Sequence, residues 1–139
     1  MGLFDAFDAS GSGLSAERLR MDVTAENLAN AQSTRSANGS GPYKRKQVVL
    51  ESAGSSFADS LSAARGVRVA GIVEDPTPPR RVYDPGHPDA DAQGYVTMPN
   101  VNTVTEMTDL IGASRAYEAN VTAMQTAKSM FARTLDILK

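Results

Sequence analysis

His87 is the only histidine in a chain of 139 residues, and it stands in a turn with Asp84, Asp89 and Asp91. Imidazole and carboxylates in one loop are the raw material of a cation site or of acid and base work, and each of those chemistries demands its own spacing. In a calcium loop Asp89, Asp91, Gln93 and Gly94 would fill positions one, three, five and six, but Asn100 would then hold position twelve, where a bidentate Glu is needed. A catalytic zinc motif needs a second His at helical spacing, which the chain lacks. A nucleophilic triad would draw on the same His87, yet no Ser lies in a G-x-S-x-G elbow, and there is neither a phosphate loop nor a dinucleotide fingerprint. The turn is therefore expected to use its Asp and His side chains to cap backbone groups. No catalytic residue, metal, cofactor or small-molecule substrate is assigned. A metal-dependent hydrolase built on the His87 cluster is one alternative; it would require His87→Ala to abolish an activity and leave assembly unchanged.

Composition narrows the remaining classes. Basic and acidic residues nearly balance, 14 against 16, so the chain carries no general field for nucleic acid or anionic lipid. The adjacent cations Lys44, Arg45 and Lys46 have no second basic cluster nearby and read as a solvated strand edge. With no Cys there is no disulfide and no thiolate metal site. No apolar run approaches the roughly 20 residues of a membrane span. The opening Met1-Gly2-Leu3-Phe4-Asp5-Ala6 lacks the basic-then-apolar pattern of a cleaved signal, and Ala6 stands where myristoylation needs Ser or Thr. The expected compartment is the cytoplasm unless the chain leaves by a route that needs no cleaved signal.

Function is then expected in surfaces, and the surfaces follow from two helical patterns. From Asn102 to Leu138, steps of four and three residues land on Thr103, Met107, Leu110, Ser114, Tyr117, Val121, Met124, Lys128, Phe131, Leu135 and Leu138. Eight of these eleven positions are apolar, and a 3.5-residue period keeps one helix face against a partner helix. Beside that seam, Gly112, Ala116, Ala119, Ala123 and Ala127 form a ridge of small residues over which another helix can approach closely. Asn102 is the expected N-cap, with Thr103 or Thr105 as alternatives. At the other end of the chain, residues 14–31 read as an amphipathic helix whose seam continues backward through Phe4, Phe7, Gly11, Leu14, Arg18, Met21, Ala25 and Leu28. Ser10-Gly11-Ser12-Gly13 interrupts it at a propensity cost of about 2 kcal/mol, so helix is expected there that firms up on assembly.

Between the helices the pattern changes to short strands and turns. Residues 43–51 and 66–73 read as strands, residues 52–65 as a mobile loop or short helix, and residues 75–79 as a stiff proline connector. Residues 81–83 and 95–98 flank the His87 turn as a small hairpin. The fold class is α+β: long N- and C-terminal helices pairing as a coiled coil around a small β-rich insert, divided as 1–36, 37–101 and 102–139. The longer helix has more seam than the shorter can cover. Burying eight such side chains is worth on the order of 10–20 kcal/mol gross, so other copies or other proteins should supply the cover. The assembly interface is assigned to Phe4, Phe7, Leu14, Met21, Leu28, Met107, Leu110, Gly112, Ala116, Tyr117, Ala119, Val121, Ala123, Met124, Ala127, Phe131, Leu135 and Leu138. A cytosolic helical adapter or export chaperone would share this seam, but its dilute monomer would protect both helices from hydrogen exchange.

The run from Leu14 to Ala31, LSAERLRMDVTAENLANA, resembles the signature of the bacterial flagellar rod and hook axial proteins. Ser114-Arg115-Ala116-Tyr117-Glu118-Ala119-Asn120 with Ala127-Lys128 is similar to the C-terminal end of that family. Residues 41–46, 82–88 and 94–101 resemble one rod-protein branch of it. The resemblance implies a structural subunit of the proximal rod, exported unfolded by the flagellar type III apparatus without a cleaved signal. It implies terminal helices lining the inner tube of a periplasm-crossing drive shaft and export channel, with the insert facing outward. The implied partners are other rod proteins, further copies of the chain, the inner-membrane ring and the export gate.

Overall fold

The computed structural model of the chain describes residues 3–36, 41–53 and 66–137. Helix α1 (Leu3–Ala29) comes first, followed by strands β1 (Lys46–Ser52), β2 (Val67–Glu74), β3 (Arg80–Tyr83) and β4 (Tyr95–Met98), and then helix α2 (Thr103–Ile137). This is the α+β arrangement expected, two terminal helices around a small β insert. The expected loop at residues 52–65 lies, from residue 54 on, outside the described residues.

Helix α2 starts where its cap dictates. Asn102 Oδ1 accepts the backbone N–H groups of Val104 at 3.0 Å and Thr105 at 3.4 Å, two donors that the first turn leaves without a helical partner. With 35 residues, α2 is about 52 Å long at 1.5 Å per residue. It packs antiparallel to α1: Asn27 meets Glu106 near one end, while Gly13 faces Asn120 and Gly11 approaches Met124 near the other.

The glycine stretch of α1 is packed on two sides. The helix runs without a break through Ser10-Gly11-Ser12-Gly13. A Cβ at Gly13 would lie 3.1 Å from the Asn120 amide, so the missing side chain lets the helices approach. On another side Ser12 Oγ donates to the Ala9 carbonyl at 2.8 Å and accepts the N–H of Val67 at 3.0 Å. Gly66 completes that junction, since a Cβ there would fall 2.5 Å from Ser12 Oγ. Tertiary contacts on two sides thus offset the helix propensity that the glycines forgo.

The insert is two separate antiparallel ribbons. In the first, Lys46 pairs with Glu74 and Ser52 with Val67, with a bulge at Val49/Leu50. In the second, Arg80 pairs with Met98 and Tyr83 with Tyr95, and the inward Val96 is fully buried. Ala31, Tyr43 and Val101 form a small apolar cluster where α1 ends and α2 begins.

The deepest positions of the helices differ from the seams expected. In α1 the buried residues are Ala16, Val23, Thr24 and Asn27, while Leu14, Met21 and Leu28 are half-buried and Arg18 and Ala25 exposed. In α2 Glu106, Ala113 and Ala127 are buried, each one residue before the expected Met107, Ser114 and Lys128. The cause is a third partner. Helix α1 packs against the first ribbon as well as α2, so small or hydrogen-bonded side chains occupy the three-way contact and the larger Leu and Met side chains move to its rim.

Candidate functional site

The His87 turn is built from backbone caps, as its composition suggests. Asp84 Oδ1 accepts the N–H of Gly86 at 3.2 Å, His87 Nδ1 that of Asp89 at 3.0 Å, and Asp91 Oδ1 those of Gln93 at 2.8 Å and Tyr95 at 2.9 Å. Gly94, at φ +81°, closes the turn against Tyr83, whose Cε2 would be 2.9 Å from any Cβ there. The remaining charge meets cations: Asp91 pairs with Arg81 at 2.5 Å, and Asp89 accepts the Thr34 hydroxyl at 2.7 Å and Arg35 Nε at 2.8 Å. The Tyr95 N–H, then Gln93 and Arg81, hold the Asp91 carboxyl below the usual carboxylate range. Thr34 first and Arg35 next do the same for Asp89. Asp89 therefore clamps the hairpin to the loop after α1, a role no spacing announced. Among the described residues no three His, Asp or Glu side chains gather as a metal site.

Of the cationic run Lys44-Arg45-Lys46, Lys44 is exposed as expected, while Arg45 and Lys46 are half-buried. Lys44 pairs with Glu74 at 3.2 Å, Lys46 with Glu26 at 2.6 Å and Arg45 with Glu106 at 2.6 Å. Arg45 also lies 3.5 Å from both Asp75 and Asp109. Glu106 is 1% exposed and Arg45 half-buried, so the carboxylate end of this pair is the buried one. Burial disfavours the charged guanidinium, but its hydrogen bond and charge pairing with Glu106, and then with Asp75, outweigh that and raise the Arg45 pKa. Thr77 first, and then Arg45, hold the Asp75 carboxyl below its ordinary range.

Asn27 ties the same centre to the sheet with all four of its hydrogen-bonding positions. Its amide donates to the Lys46 carbonyl at 2.8 Å and to Glu106 Oε2 at 2.9 Å. Its carbonyl accepts the Lys46 N–H and the Tyr43 hydroxyl, both at 2.9 Å. Asn27 thus extends the strand pattern of β1 by one rung. Burial, then the charges of Glu26, Glu106 and Glu74, push the Tyr43 phenol up to about 12. Asn100 Oδ1 accepts the Arg45 N–H at 2.9 Å, holding the approach to α2 against the start of β1. Sequence reasoning missed Asn27, Arg45, Asp75, Asn100 and Glu106 as one centre. The available signal was a buried-side Glu at the first turn of a helix with an Arg among three cations elsewhere, but nothing local pairs them.

The residues assigned to assembly occupy three settings. Phe7, Leu14, Met21, Leu28, Leu110, Ala116, Tyr117, Val121 and Met124 are half-buried, and Ala127 is buried. Met107, Gly112, Ala119, Ala123, Phe131 and Leu135 are exposed, and a Cβ at Gly112 would meet nothing within 4 Å, so the small-residue ridge is open there. The Phe4 side chain and Leu138 lie outside the described residues. Two exposed residues escaped the single-seam reading: Val104 and Ile111 join Met107 at i, i+3 and i+7, on the side of α2 away from Glu106 and Ala113.

Comparison with known proteins bears on what such a surface serves. The family model described as flagella basal body rod protein matches residues 7–35, and that described as flagellar basal body rod FlgEFG protein C-terminal matches residues 92–137. A flagellar basal-body rod protein FlgC of Bacillus subtilis is 45% identical, with 100% of both chains covered. That of Yersinia enterocolitica is 47% identical over 99% of this chain and 98% of its own, and that of Borreliella burgdorferi 44% identical over 100% and 99%. The matched ends are the two paired helices, and the likeness runs through the insert between them: the chain belongs to the FlgC family of flagellar basal-body rod proteins.

Proposed function

We propose that the protein acts as a structural subunit of the proximal rod, without catalytic activity, assembling through its terminal helices into the periplasm-crossing drive shaft and export channel. The observation that carries this reading is the apolar side-chain surface left exposed along α2, at Val104, Met107, Ile111, Met130, Phe131 and Leu135. Soluble monomers rarely leave such stripes wet, and a subunit buries them against neighbours. In this reading the helical segments 1–36 and 102–139 lie along the rod axis and line the inner tube, and the segment 37–101 faces outward. The neighbours are other rod proteins, further copies of the chain, the inner-membrane ring and the export gate. The chain reaches them unfolded through the type III apparatus, with no cleaved signal. Complementation of a strain lacking the rod gene tests the reading. Leu135→Asp should be secreted at near-normal levels yet give no completed rod and no swimming in soft agar, and normal swimming would contradict it.

A further inference from the structure

Among the described residues Glu106 is the one charged side chain that is buried, and three bodies meet on it. Asn27 of α1 donates to Oε2 at 2.9 Å, and Arg45, one residue before β1, donates from Nε to Oε1 at 2.6 Å. The helices themselves bring no cation to it. Arg20 of α1 lines the same cavity of about 190 Å³, but it is turned to Glu17 at 3.2 Å, and Asp109 of α2 adds a second carboxylate on Arg45. Asn27 is divided in the same way, with one amide hydrogen on Glu106 and its other three positions on Lys46 and Tyr43. Of the five hydrogen bonds that Asn27 and Glu106 make in this centre, only the one between them belongs to the helices alone. Pairing the helices is what buries these two side chains, and the insert is what satisfies them.

We propose that Asn27 and Glu106 make closure of α1 on α2 conditional on the insert, so that the helices pair along this length only once Arg45 and Lys46 have reached the centre. A buried carboxylate without its cation is strongly unfavourable, and each buried amide position left unbonded adds to the cost. Little in the helix contact stands against that cost. The buried apolar residues of the two helices are Ala16, Val23, Ala113 and Ala127, small side chains with little area to remove from water. A chain whose insert is unfolded therefore keeps its helices apart, and docking the insert closes the subunit in one step. This coupling goes beyond the rod reading and does not depend on it.

Segment-resolved hydrogen exchange of the full chain across a urea series tests this, with helix peptides from residues 14–29 and 103–127 read against ribbon peptides from residues 46–52 and 67–74. In the parent, helices and ribbon should lose protection at one urea midpoint, and separate midpoints would overturn the proposal. Arg45→Met alters no helix residue, yet it should lower the helix midpoint as far as that of the ribbon. Adding Glu106→Leu should return the helix peptides to the parent midpoint or above while the ribbon opens at lower urea, so that the two transitions separate. Helices that keep the parent midpoint in Arg45→Met would show that they pair without the insert and would overturn the proposal. Helices of Arg45→Met/Glu106→Leu that stay as unprotected as those of Arg45→Met would also overturn it, because the requirement would then lie outside this centre. If Arg45→Met does not fold at all, rescue of helix protection by Glu106→Leu, or its failure, decides the matter in the same way.

Discussion

At the scale of single residues, Arg45 and Asn27 decide how the insert is held. Glu106 is buried, and removing Arg45 would leave its carboxylate without its cation, a loss that typically costs 3–5 kcal/mol. Arg45→Met should therefore lower stability by about that much in urea unfolding, and Arg45→Met/Glu106→Leu should recover most of it. An Arg45→Met midpoint equal to that of the parent would show that the pair does not hold the junction. Tyr43 adds a pH signature. Its folded pKa of about 12 lies above the ordinary value of 10.0, so its contribution is complete below pH 10 and is lost as pH rises toward 12. Its size is on the order of 2–3 kcal/mol. Tyr43→Phe should flatten the alkaline slope of stability between those limits, and an unchanged slope would place the titration elsewhere. In acid the sign reverses for Asp75, Asp89 and Asp91. Their lowered pKa values stabilise the fold above the ordinary carboxylate range, and that support is lost as pH falls through them. None of this centre was legible in the sequence. Arg45 and Glu106 are 61 residues apart, and Asn27 and Glu106 are 79 apart. Periodicity speaks only to neighbours on one element.

At the scale of elements, the helices were legible because their period is long and sustained, and the start of α2 because Asn102 is a cap with a mechanism. The strands were legible to within a few residues from β-branched runs between turn formers. The details that escaped are those set by a third packed body. Two glycines in α1 read as weakness until Asn120 and the Ser12 junction with Val67 gave them neighbours, and the buried stripe of α2 slipped by one residue because Glu106 belongs to the insert as much as to α1. Two glycines separate these effects. Gly13→Leu should destabilise the monomer by about 1–3 kcal/mol through overpacking against Asn120. Gly112→Ala has open space around its new methyl and should stabilise the isolated chain by about 0.5–1 kcal/mol. Thermal melts of the two variants that moved in the same direction would contradict this assignment of packed and open faces.

For the whole molecule, the partition is between a small, polar, hydrogen-bonded centre that fixes the insert on the helices and an apolar length of α2 that the chain does not cover. The excess of seam over cover was legible from helix lengths alone. Which residues make up the excess was not, since Val104 and Ile111 lie off the expected stripe. The His87 turn, the one place in the sequence with the makings of chemistry, is occupied by backbone caps and ion pairs that brace the insert. The most direct test of the account is a cryo-EM map of basal bodies isolated from cells whose rod carries this chain. The account predicts α1 and α2 side by side along the axis on the inner wall, the two ribbons facing outward, and Val104, Met107 and Ile111 covered by a neighbour. A rod in which this chain is absent, or in which its helices point outward with that stripe in solvent, would contradict it.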